Sequence, residues 1–265
     1  MIHVIAFALM RKWKYYFIIL ACYMVGVSFL PAMKPVGRRS WLTIDFNSYV
    51  GKDLLKLDTI GYKNEFGQSY SVTKFKFYIS DIRIKDVSGY EYYITQSFLL
   101  NQEDSSSMQI VLKEVPYGNF VSISFIIGVD SMNSVNGAQS GNLDPLNGMY
   151  WTWNSGYIFL KLEGISSASK SPGNIFEYHI GGYQYPNNFI RPVTIHFKQD
   201  ELKIVSRKDT YLAVKTDISE ILKAPNSIDF SKLSSVTDFH NAATVADNYT
   251  DMFSVLTIWQ EDYKY

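Results

Sequence analysis

Cysteine is almost missing from this sequence. The single one among 265 residues, Cys22, lies in an apolar N-terminal run. The region beyond it therefore has no disulfide to staple it and no thiolate to hold a metal. Histidine is scarce as well: His3, His179, His196 and His240 are all there are. A transition metal would have to rely on imidazole, thioether, carboxylate or an altered side chain. Net charge is lacking too, since 25 Lys and Arg offset 25 Asp and Glu. No bulk field draws the protein to nucleic acid or to an anionic membrane surface. The sequence shows no nucleotide-binding glycine loop, zinc-protease helix, nucleophile elbow or paired-cysteine motif. Catalysis is therefore not expected, and no internal repeat divides the chain.

What the sequence has in quantity is apolar and aromatic surface. Hydrophobic residues make up 47% and aromatic ones 16%, with 20 Tyr and 17 Phe. That composition supports a large core and excludes general disorder. Near the start, Arg11, Lys12 and Lys14 precede an apolar run from Tyr15 to Leu30, followed by Pro31-Ala32-Met33. This pattern predicts a signal peptide over residues 1–33, or an N-terminal membrane anchor. Ile19-Leu20-Ala21-Cys22 offers a lipoprotein box as a third reading. Each exports the remainder, which is expected to be one β domain over 41–265.

From Trp41 onward the pattern has period two. Leu42, Ile44 and Phe46 share a face, and Phe75, Phe77 and Ile79 share another. The apolar set then shifts parity to Ile82 and Ile84, which predicts a β-bulge at Ser80-Asp81. Ile110 to Val115 and Val121 to Val129 read as a hairpin turning at Pro116-Tyr117-Gly118-Asn119. Residues 131–147 read as a long Ser/Asn/Gly loop. Further strands are expected at 157–163, 176–180, 193–197, 202–205 and 211–214. Short helical signals follow Asp217 and recur through Ala242, Val245, Tyr249 and Met252. The expected class is all-β: a β-sandwich or barrel of antiparallel strands with short accessory helices near the C-terminus.

The strongest local feature runs from Met149 to Gly164, MYWTWNSGYIFLKLEG. As one strand it places Trp151, Trp153, Tyr157, Phe159, Lys161 and Glu163 on a mixed face, with Ile158, Leu160 and Leu162 toward the core. His179 alternates against Tyr178 and Ile180 on a polar face, and His196 reads as a surface residue. Asp130 and Asp144 suit turn or cap roles. Tyr183, Tyr185 and Phe189 form an aromatic loop that would suit a sugar or would simply pack.

The Met-x-Trp-Thr-Trp…Gly-Tyr…Lys-x-Glu-Gly run resembles the signature of the MbnP-like family of copper-binding, methanobactin-associated proteins. Other blocks follow in the same order: Tyr62-Lys63-Asn64, Phe77 to Ile82, Val115 to Gly118, Phe125 to Asp130, Gly141 to Pro145, Tyr178 to Gly182, and Ala246 to Tyr249 with Met252-Phe253. The resemblance spans about Leu42 to Phe253. It implies a copper-binding protein of the periplasm or outer surface of a Gram-negative bacterium, serving copper acquisition or homeostasis. It also implies histidine ligands, a tryptophan oxidised to kynurenine, and a MauG-like dihaem peroxidase partner that makes the modification. On this chain the resemblance points to His179 and His240 as ligands, and thioether chemistry adds Met149. Trp151 and Trp153 are the candidates for oxidation, with Tyr157, Lys161 and Glu163 lining the site. Where relatives carry a first-strand histidine, this chain has Asn47 and Ser48. The alternative is a non-catalytic extracellular β-sandwich module that binds a glycan or protein. Nucleic acid is not expected as a partner.

Overall fold

The structure of the protein, a computed structural model, describes residues 39–59, 61–151, 156–198 and 201–262. The leader, with its signal-peptide and anchor readings, and Trp153 lie outside these residues. The first strands are β1 (Arg39–Val50), β2 (Asp53–Leu54), β3 (Tyr62–Lys63), β4 (Ser69–Asp86), β5 (Glu91–Ile94) and β6 (Phe98–Asn101). After them come β7 (Gln109–Pro116), β8 (Gly118–Ile127), helix α1 (Ser131–Val135), β9 (Tyr150–Trp151), β10 (Gly156–Ile165) and β11 (Ile175–Gly181). The chain continues through β12 (Tyr183–Gln184), β13 (Asn187–Asn188), β14 (Arg191–His196), β15 (Leu202–Ile204) and β16 (Lys208–Asp217). It closes with β17 (Ser235–Val236), helix α2 (Ala242–Asn248) and β18 (Phe253–Asp262). No described helix is long and apolar enough to cross a membrane.

These strands form a β-sandwich. Sheet 1 runs β18–β16–β1–β2, with β7 also on β1, and sheet 2 runs β14–β8–β4–β10–β11–β17. Phe46 of sheet 1 meets Phe77 and Phe125 of sheet 2 edge to face, with ring centroids 6.3 and 6.2 Å apart. Leu42, Ile44 and Phe46 are buried as their alternation predicts, opposite Phe75, Phe77 and Ile79. The bulge also falls where the parity shift places it. Pairing of β4 with β8 slips between Ser80 and Arg83, and Asp81 adopts a positive φ of 53°.

Three expectations change. Pairing is not wholly antiparallel: β1 and β16, far apart in sequence, run parallel, as do β11 and β17. Pro116–Gly118 does not close a hairpin, because β7 pairs with β1 in sheet 1 while β8 pairs with β4 and β14 in sheet 2. The chain arches across the core there. Each strand has one apolar face, and facing one another buries those faces as well as pairing side by side would. Finally, Ile158 does not point into the main core. The β10–β11 register slips between Ile158 and Leu160, which turns Ile158 to the opposite side with Tyr157 and Phe159.

That opposite side carries a second apolar cluster: Tyr78, Val129, Leu143, Met149, Trp151, Tyr157, Ile158 and Phe159. The 129–151 segment covers it. Asp130 caps α1 through its carboxylate, and Asp144 caps the following 3-10 turn at Pro145–Asn147, as their turn chemistry suggests. Near the C-terminus Asp217 accepts from the Ser219 N–H and caps a short 3-10 helix, and α2 buries Ala242 and Val245. Truncating the ring where the two sheets meet, Phe46→Ala, should cost about 3–5 kcal/mol of unfolding free energy in chemical denaturation.

Candidate functional site

Adjacent strands set the site. On β10, Lys161 lies opposite His179 of β11 and Lys76 of β4, and Glu163 lies opposite Glu177 and Lys74. Period-two alternation throws these side chains onto one face of sheet 2, away from the main core. His179 Nε2 stands 2.8 Å from Glu163 Oε1, and Lys74 Nζ stands 3.2 Å from Glu163 Oε2. The His179 hydrogen bond, seconded by the charge of Lys74, outweighs burial and lowers the Glu163 carboxyl from 4.5 to about 2. Lys161 Nζ donates to the Gly148 carbonyl at 2.6 Å, and burial lowers its pKa. That bond ties the covering loop to the sheet.

Further along the same face the tryptophan arm meets the His-x-Gly-Gly strand. A Cβ on Gly181 would lie 2.7 Å from Trp151 Cζ3 and 2.3 Å from the Tyr157 carbonyl oxygen. Residues 179 and 181 share a face, so the Trp151 ring occupies the place of a residue-181 side chain, next along the strand from His179. Phe239 closes the other side of that indole, edge on, at 6.0 Å between centroids. Gly182 carries a φ of +123°, which side chains rarely adopt. A cavity of about 160 Å³ opens here, lined by Gly156, Gly182, Tyr183, Tyr185, Asn187 and Phe239.

The candidate residues divide clearly. His179 and Glu163 are in contact, and the Trp151 ring packs over Gly181, two residues along β11 from His179. His240 is exposed one residue beyond Phe239, and its backbone N–H donates to Asp238 Oδ1 at 2.8 Å. Met149 is fully buried in the second apolar cluster. Tyr157 is buried too, its hydroxyl 2.8 Å from the Gly137 carbonyl and 3.0 Å from that of Leu143. In the aromatic loop Tyr185 is exposed, whereas Phe189 is buried against Phe239. His196 is exposed, in keeping with its strand alternation. Sequence alone missed Lys74 and Phe239. Lys74 is visible only through register, and Phe239 reaches Trp151 from a distant segment.

The profile of the MbnP family matches residues 39–241. The chain belongs to the MbnP family. A solved structure, MbnP from Methylosinus trichosporium, aligns at 15% identity with a TM-score of 0.48, covering 72% of this chain and 80% of that one. No curated protein sequence matches significantly. The MbnP match contains the whole Met149–Gly164 run, His179 and His240, and ends before α2 and β18. Among the described residues of this MbnP protein, no three His, Cys, Asp or Glu side chains gather closely enough to hold a metal ion. What is present is one imidazole oriented by a carboxylate and an exposed second imidazole beyond Phe239.

Two outcomes follow. Gly181→Ala should expel the Trp151 ring, red-shift tryptophan emission and cost about 1–3 kcal/mol. Glu163 stabilises the fold fully above pH 4.5 and loses that contribution as pH falls toward 2. Glu163→Gln should therefore flatten the acid limb of a plot of Tm against pH, leaving less loss between those values than in the parent protein.

Proposed function

We propose that this MbnP-family protein is an exported copper-binding protein serving copper acquisition or homeostasis, with the metal taken at the Trp151 end of sheet 2. The observation that carries this is the His179–Glu163 pair on the same strand whose Gly181 the Trp151 ring packs against. A metal-binding histidine commonly gives its other ring nitrogen to a carboxylate, which fixes the ring and raises its basicity. With Nε2 engaged by Glu163, Nδ1 is the nitrogen left to face a metal. Imidazole suits both copper oxidation states, and His240 is the second candidate donor. Met149 is enclosed by apolar neighbours, so its thioether supports the site as packing in this conformation.

An oxidised tryptophan completes the donor set in this proposal. The indole N–H only donates a hydrogen bond and offers a metal no lone pair, whereas kynurenine offers an aniline nitrogen and a carbonyl oxygen. Trp151 and Trp153 are the residues for that change, made by a MauG-like dihaem peroxidase in the periplasm or at the outer surface. Bound copper would supply a redox-active or Lewis-acidic centre. The chain's own part is to orient His179 through Glu163, hold Trp151 on Gly181 and clasp the loop through Lys161. The leader would deliver the domain, as a cleaved peptide or as a tether.

Copper analysis and intact mass on full-length protein co-expressed with the peroxidase test this directly. The expected result is one copper per chain and a tryptophan that has lost one carbon and gained one oxygen. His179→Ala should abolish retention, and Glu163→Gln should weaken it about 10–100-fold. Metal-free protein with unmodified tryptophans would overturn the proposal.

A further inference from the structure

Both sheets end in open edges on one side of the sandwich. Among the described residues β18 pairs only with β16, and β14 only with β8. A groove of about 650 Å³ runs between these two strands, lined by Thr194–His196 and Phe253–Ile258. Natural edge strands are commonly guarded by Pro, Lys or a bulge. β14 has Pro192, which offers no N–H. β18, with the sequence FSVLTIWQED, has no Pro, Lys or Arg. Its one guard is a bulge: Val255 pairs with Val214 and Thr257 with Ala213, so Leu256 is the extra residue. Beyond the bulge, Thr257 to Glu261 form a regular run on an unguarded edge.

Trp259 shows what that run lacks. Tyr211, its register partner on β16, stacks on it with centroids 4.9 Å apart and planes 7° from parallel. That separation matches the spacing of neighbouring strands, so the two rings stack across the sheet. The other face of the indole therefore looks over the vacant side of β18, and Trp259 is 36% exposed. A ring on a strand added beside β18 would complete the stack.

We propose that β18 pairs antiparallel with β18 of a second copy, about a two-fold axis at Trp259. Centred there, Ile258 falls opposite Gln260 on the inner side, and Thr257 falls opposite Glu261 on the outer side. Ile258 packs against the main core, and Gln260 Nε2 donates inward to the Lys203 carbonyl at 2.6 Å. Among the registers that keep inward residues opposite inward ones, this one sets indole against indole. The outcome is a row of four rings: Tyr211, Trp259, and the second copy's Trp259 and Tyr211. Charge agrees with the direction. Parallel pairing in register would set Glu261 and Asp262 beside their own copies, whereas antiparallel pairing holds them at opposite ends. A net charge of zero leaves no bulk repulsion between copies. The backbone edge would accept any strand, and the bare indole face selects this one. β18 lies beyond the MbnP match and shares no residue with the Trp151–His179 end, so the pairing stands apart from the copper proposal.

Sedimentation velocity on the full chain, from about 1 μM to about 0.5 mM, tests this. A reversible dimer with a Kd of roughly 0.1 mM or below is expected, with tryptophan emission moving to the blue as it forms. Trp259→Lys should leave monomer across that range, because two like charges would meet at the axis. Thr257→Lys places a cation opposite Glu261 of the second copy and should tighten the dimer several-fold. It carries the test if Trp259→Lys fails to fold. Monomer at every concentration would overturn the proposal. So would association that ignores Trp259→Lys, as self-association of the apolar leader would, or a Thr257→Lys dimer no tighter than the parent's.

Discussion

The outer face of sheet 2 cannot be left to water. Tyr78, Tyr157 and Phe159 stand on it and are buried to within 1%, each contributing about 1.5–3 kcal/mol by leaving solvent. The segment from Val129 to Trp151 supplies the cover and is fastened at its polar points. Tyr78 Oη donates to the Asn142 carbonyl at 2.7 Å, Asn142 Nδ2 to the Ser97 carbonyl at 3.0 Å, and Lys161 to Gly148. A stretch that reads as a free loop is thereby a third layer. Its last residues deliver Trp151 onto Gly181, so the burial that stabilises this face also assembles the candidate site.

Much of this was legible in the sequence, and the parts that were not share a cause. Period-two patterning located β1, β4, β10, β11 and β16, and the parity break at Ser80-Asp81 located a real bulge. Alternation says which residues share a face, but it cannot say which strand lies beside which. It therefore read β7 and β8 as a hairpin where the chain arches between sheets, and left the parallel β1–β16 pair unseen. The mixed face of β10 was read correctly for Lys161 and Glu163. A register slip at Ile158, invisible in composition, turned that residue to the side of Tyr157 and Phe159. The partners that define the site, Lys74 and Phe239, lie 89 and 88 residues from Glu163 and Trp151 in sequence and meet them only through the fold. Gly181-Gly182 was the one local hint that something large would sit there.

Two ends of the functional argument thus rest on different faces of one sandwich. On sheet 2, charge and aromatic packing meet at His179, Glu163 and Trp151, inside the region that defines MbnP membership. On sheet 1, the open edge of β18 leaves one face of the Trp259 indole bare beside Tyr211, beyond that region.

Paramagnetic broadening of amide resonances on adding one equivalent of Cu(II) to isotope-labelled protein tests the central claim most directly. If the metal is taken beside Trp151, signals should fade first at His179, Ile180 and Gly181, then at Tyr150, Trp151 and His240, while those of β18 persist. Fading centred on exposed His196, with His179 to Gly181 untouched, would contradict the account.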